Sequence, residues 1–253
     1  MSTHPYVAFE TIPEFFREGT LPLLSGEIKG TFPYYHIIKA GNSTEFSPDE
    51  SLQRLFFLID GSIAIHDNGK LYHLSERGSY IPDPVHRVIL TAEKESYIFE
   101  ISWILTSHDK AKLAEKRPDY PITQLYRECP HYTESFKSEK AVSRTIVPHN
   151  IIPRFSMGSN ESGENDRVEM NNHPAIDQYF FSFPDNNVVL RIEEEIIPFK
   201  GNSILHVPLG AYHGVEIGAS QKMHYMWIDF IVDEEAGLEY LNTVHVKLDN
   251  NGG

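Results

Sequence analysis

The chain has 253 residues, 40% of them hydrophobic and 23% charged, an ordinary globular composition with enough length for one large core or two small ones. Its 22 basic residues against 36 acidic ones leave a formal charge of −14, which repels phosphate backbones and anionic lipid and argues against nucleic-acid and membrane partners. No window approaches the roughly 18 to 20 apolar residues of a spanning helix. The opening MSTHPYVAFETIPEFF lacks a basic segment followed by an apolar one, so a non-secreted, cytoplasmic protein is expected. Cys129 is the only cysteine, which leaves no internal disulfide and no cysteine-rich metal site.

In chain order, the first strong signal is LFFLIDGSIAIHDNGKLYHL over residues 55–74. An apolar run and alternation at Ile63 and Ile65 lead to Asp67-Asn68-Gly69 and a second alternating run, the pattern of a β-hairpin. Residues 106–140 have a different texture: SHDKAKLAEK can cap and form a short helix, and PDYP and ECPHY interrupt it. Residues 156–167, SMGSNESGENDR, are rich in Gly, Ser, Asn and charge and read as a surface loop or a lid over a barrel mouth.

YFFSFPDNNVVLRIEEEIIPF over residues 179–199 repeats the earlier design, with a Pro-Asp-Asn-Asn turn, alternation at Val188, Leu190 and Ile192, a tight acidic turn and a return strand. Phe56-Phe57 maps onto Phe180-Phe181 and Trp103-Ile104 onto Trp227-Ile228, both shifted by 124 positions. His86 pairs with His213 at a slightly drifted offset. These correspondences predict an internal duplication. Many short strands with regular turns make each half an all-β barrel or sandwich.

The residues that can carry chemistry lie in the second half. Pro208-Leu209-Gly210-Ala211-Tyr212-His213 makes a sharp turn that places an imidazole on the next strand, where it can point into a barrel. Upstream stands Asn171-Asn172-His173-Pro174-Ala175-Ile176-Asp177-Gln178. Together these stretches resemble the two motifs of the cupin superfamily. The resemblance implies a tandem bicupin: two jelly-roll-like barrels at residues 1–105 and 146–253, joined by a short, partly helical linker at 106–145.

The first cupin motif has two histidines two residues apart and an acid about four residues on. His173 and Asp177 match the second histidine and the acid, and Asn171 stands where the first histidine would be. The resemblance therefore implies a site of His173, Asp177 and His213 with Asn171 beside them, suited to a divalent transition metal: Mn, Fe, Ni or Zn. Gln178 is an alternative to Asp177, and a histidine at a strand end also serves as an ordinary hydrogen-bonded residue. In the first half, residues 47–54 (SPDESLQR) hold no histidine and His86 would have no partners, so a structural or dimer-forming role is expected there.

The chain is similar to two kinds of cupin. In ureidoglycine aminohydrolase, a manganese-dependent bicupin of purine breakdown, the ligand pattern falls on positions of which only His173 is retained here. The sensor barrels of AraC-type regulators bind sugars without metal and end in a strand like Tyr225-Met226-Trp227-Ile228-Asp229-Phe230, although the residues after Phe230 are too few for a helix-turn-helix. Two functions follow as expectations. One is a metal-dependent isomerase, hydrolase or lyase acting on a small polar metabolite, the metal polarising a carbonyl or activating water. The other is a metal-free barrel that binds or senses a sugar-like molecule. Tyr179, Arg191, His206 and Trp227 are the candidate substrate contacts. A homodimer is expected from exposed barrel edges.

Overall fold

The computed structural model describes residues 7–244 and the backbone of 246–247. The described chain divides into two compact units, Pro13–Glu128 and a second made of the described residues from Cys129 onward together with 7–12. Both are built almost wholly of antiparallel strands, which confirms the all-β tandem architecture. No described helix is long and apolar enough to cross a membrane.

The first unit centres on two long strands, Leu52–Asp67 and Val88–Ile104. The sheet runs in the order Gly19–Pro22, Thr31–Ile38, Val88–Ile104, Leu52–Asp67, Gly78–Ile81, Ile122–Leu125, with Ser43–Phe46 and Lys70–Leu74 added beside the long pair. Register shifts between Leu58 and Ile63 bend both strands, so each serves two faces of the barrel. Gly61 sits in that bend at φ +113°, where a Cβ would come 2.5 Å from Ser96 Oγ. The expected hairpin forms at Asn68 and Gly69, both at positive φ, as a two-residue primed turn requires. Phe56, Leu58, Ile63, Ile65, Leu90 and Ile98 fill the interior. The expected short helix is Ser107–Lys116, with Thr106 and Asp109 forming a capping box.

In the second unit, one sheet runs Phe9–Thr11, Ser203–Val207, Ile176–Ser182, Met223–Ile231, Phe155–Ser162, Val142–Val147, His131–Thr133, Val246–Lys247. The other runs Asp166–Asn171, His213–Ile217, Asn187–Ile192, Glu195–Lys200. The earliest described strand thus belongs to this unit: Phe9 pairs with Leu205 and Thr11 with Ser203, satisfying an edge that would otherwise stay open. Phe180, Leu190, Leu205, Val215, Tyr225 and Trp227 belong to the shared core.

Two expectations change. Residues 156–167 are no loop: Phe155–Ser162 is a central strand between Met223–Ile231 and Val142–Val147, and only 163–165 turn before Asp166–Asn171 begins. Its small polar side chains Ser156, Ser159, Asn160 and Ser162 are buried, which composition alone misreads as solvated. The tryptophan match also fails in space. Phe56 stands opposite Glu100, whereas Phe180 stands opposite Trp227. Since paired residues share a sheet face, Glu100 is the counterpart of Trp227, and Trp103 lies on the opposite face.

The interior position of Trp227 depends on Gly158. A Cβ there would come 2.2 Å from Trp227 Cζ2 and 2.3 Å from the Arg144 carbonyl oxygen, the latter a backbone atom that cannot rotate away. Gly158→Ala is expected to destabilise the protein by about 1–3 kcal/mol through overpacking, read as a lowered denaturant midpoint with an unchanged slope.

Candidate functional site

The sequence candidates converge only in part, and strand alternation decides which. On Ile176–Ser182 successive side chains point to opposite faces. Gln178 and Phe180 line a cavity inside the second barrel, together with Asn171, His173, His213 and Trp227. Asp177 and Tyr179 point the other way. There Asp177 accepts a 2.6 Å hydrogen bond from His206 Nε2, and the Tyr179 ring packs 5.8 Å from His206 and 6.4 Å from Phe230. The structure therefore does not bring Asp177 to the histidine pair; the alternative, Gln178, is the inward residue. Arg191 lies on the exposed face of its strand, 3.6 Å from Glu216.

His173 and His213 do meet, with ring centroids 5.1 Å apart. The turn delivers His213 as expected: Gly210 adopts φ +74° and Ala211 N donates to the Pro208 carbonyl. His213 Nδ1 donates to the Ala211 carbonyl at 3.1 Å, which leaves Nε2 as the lone-pair nitrogen. Burial pushes the pKa of His213 down to about 4, so the ring is neutral at physiological pH. Asn171 Nδ2 donates to the carbonyls of Glu169 and His213. Its Oδ1 is buried with no hydrogen-bond partner.

Residues that sequence reasoning missed dominate the rest. Glu134 and Lys137, within the stretch expected to be a linker, project into this cavity. They form an ion pair with both side chains 4% exposed. Lys137 Nζ also donates to Asn160 Oδ1 at 2.6 Å and Ser143 Oγ at 3.0 Å, and sits 4.9 Å from the Tyr132 ring centroid, within cation–π range. Burial lowers the pKa of Lys137, and Glu134 opposes that shift. The network extends from Asn160 Nδ2 to the Tyr225 hydroxyl at 3.2 Å, while Gln178 Nε2 donates to Asp229 Oδ1 at 2.7 Å. Helix Glu234–Val244 packs Leu238 and Leu241 on Ile176 and Ile231, and sets Tyr240 edge-on to His173 at 5.0 Å.

What remains open in this cavity is about 30 Å³, room for about one water molecule. His173, His213 and Asn171 all line this cavity. Among the described residues no group of three or more His, Cys, Asp or Glu is placed to hold a metal ion. The carboxylate in the cavity wall nearest in charge to such a role, Glu134, is already committed to an ammonium. At His213 the charges of Glu134 and Lys137 act in opposite senses, Glu134 the more strongly. Of the expected set, His173, His213 and Asn171 line one cavity and Asp177 is turned away from it.

No family model matches the chain, and no curated protein matches it. Solved structures do. An IolB-like protein from Salmonella typhimurium aligns with TM-score 0.71 at 13% identity over 89% of this chain and 93% of that one. An oxalate decarboxylase variant from Bacillus subtilis aligns with TM-score 0.66 at 11% identity over 92% and 78%. A cupin 2 conserved barrel domain protein from Leptotrichia buccalis aligns with TM-score 0.54 at 13% identity over 91% of each chain. At these identities the likeness is one of fold.

Proposed function

We propose, from the tandem cupin fold that this chain has, that it is a metal-independent bicupin that binds a small polar, sugar-like molecule. The observation that carries this reading is Lys137: a buried ammonium, ion-paired with Glu134, occupies the cavity in which His173 and His213 face each other. Its donors are spent on Glu134, Asn160 and Ser143, so the pair fills the space with its own counter-charge and leaves no vacancy that calls for a cation. The competing reading, a metal-dependent isomerase, hydrolase or lyase, needs a third anionic or imidazole donor beside His173 and His213. Asp177 is held by His206 on the opposite sheet face.

Thermal unfolding of chelator-treated protein tests the proposal. Titration with Mn²⁺, Ni²⁺ or Zn²⁺ is expected to leave Tm unchanged, because only a ligand that binds the native state shifts it. A saturable rise of several degrees that disappears in His213→Leu would overturn it.

A further inference from the structure

We infer that the mouth of the first barrel, around Arg54, His36 and Glu100, is the binding site for a neutral, monosaccharide-sized polyhydroxylated molecule. The inference deepens the metal-independent reading by naming a site and a ligand class, although the pocket itself involves no residue of the second barrel.

Register identifies the pocket as the first unit's counterpart of the lysine-filled cavity. Tyr34 and Phe56 flank Glu100 as Gly158 and Phe180 flank Trp227. By the same pairing, Arg54 opposite Ser102 corresponds to Gln178 opposite Asp229, and His36 opposite Ile98 to Asn160 opposite Tyr225. With a carboxylate in place of an indole, the space is not filled. A cavity of about 400 Å³ opens here, within the range of small-molecule sites, against about 30 Å³ in the second barrel.

The polar groups of this pocket are pre-positioned. Glu100 is 3% exposed and His36 2%. His36 Nε2 donates to Glu100 Oε2 at 2.8 Å, and Thr20 Oγ1 lies 2.9 Å from His36 Nδ1. Arg54 Nε approaches Glu100 Oε1 at 3.6 Å while its Nη1 donates to the Ser47 carbonyl at 3.1 Å. Much of the guanidinium fork is left for an incoming acceptor. Phe32, Tyr34 and Phe46 form apolar walls, with Arg54 6.0 Å from the Phe46 ring centroid.

Aromatic surface beside a carboxylate and a guanidinium is the chemistry that grips a polyol: its C–H faces pack on rings, and its hydroxyls donate to Glu100 and accept from Arg54. The charges of Arg54 and Glu100 offset each other, which favours a neutral ligand over a sugar acid.

The test uses the full chain and isothermal titration with D-glucose, D-galactose, D-xylose and D-mannitol, with D-glucuronate as the charged counterpart. At least one neutral compound is expected to bind. Arg54→Met and Glu100→Gln are each expected to weaken it at least tenfold. Thr44→Trp, which bulks up the rim on the edge strand Ser43–Phe46 without touching the buried groups, is expected to abolish binding with the fold intact by circular dichroism. Ile196→Ala, at an exposed position of the other barrel, is expected to leave affinity unchanged. Failure of all four neutral probes, binding of D-glucuronate alone, or unchanged affinity in Thr44→Trp overturns the inference. These outcomes are separate from the metal titration, whose failure would leave a sugar site in the first barrel standing.

Discussion

Lys137→Met is expected to destabilise the protein by about 3–5 kcal/mol, the usual effect of removing one partner of a buried ion pair. The loss comes less from the attraction that disappears than from what stays behind. Glu134, 4% exposed in its side chain, would keep a carboxylate in a dry interior without its ammonium. Asn160 Oδ1 and Ser143 Oγ would lose the donor now 2.6 and 3.0 Å away. The double variant Glu134→Leu with Lys137→Met removes both charges and is expected to regain most of the loss, because a matched apolar replacement escapes the desolvation penalty. Chemical denaturation of the three proteins reads the difference. A single variant as stable as the parent would mean that Lys137 is not held as an ion pair.

The second large effect is a loss of stability in mild acid that traces to His213. Burial lowers its folded pKa to about 4, from 6.5 for an ordinary histidine. Below pH 6.5 the unfolded chain takes up a proton that the folded chain refuses until about pH 4, so the unfolded state gains protons first and stability falls as pH falls through that window. At about 1.4 kcal/mol per pH unit, the loss grows to about 3 kcal/mol near pH 4, and above pH 6.5 there is none. His213→Leu is expected to flatten this part of the stability profile while the acid response of the carboxylates remains. A profile between pH 7 and 4 identical in both proteins would refute the assignment.

The fold was largely legible in the sequence because its signals are local. Asn68-Gly69 demands a primed hairpin turn, Thr106 and Asp109 cap the helix between Val88–Ile104 and Ile122–Leu125, and the Pro208-x-Gly210 turn sets His213 at a strand start. The site was less legible because it depends on register, and register is a property of pairs of strands. A shift of one position decides between Asp177 and Gln178. Likewise the recurring Phe-Phe and Trp-Ile pairs suggested that Trp103 and Trp227 correspond, whereas bends at Leu58–Ile63 place Glu100 in that position. Alternation of Tyr225, Trp227 and Asp229 on one strand was a usable signal for the interior face. For Lys137 there was none: a lysine in a Pro- and turn-rich stretch reads as solvated, and only the bridge between Lys137 and Val168 carries it under the barrel wall.

The same register argument explains why two barrels of one design differ in capacity. In the second, Trp227 lies over Gly158 and Lys137 fills the space beside it. In the first, Tyr34 and Glu100 stand at those positions and the interior opens outward. The two units share this pairing pattern, and a few inward residues decide what each can hold.

Elemental analysis of the purified, untagged protein bears most directly on the central claim that an ammonium–carboxylate pair, rather than a metal, organises the second barrel. Protein prepared in medium supplemented with Mn, Fe, Ni and Zn is predicted to carry no stoichiometric transition metal. About one metal ion per chain, lost on replacing either His173 or His213 with leucine, would contradict it.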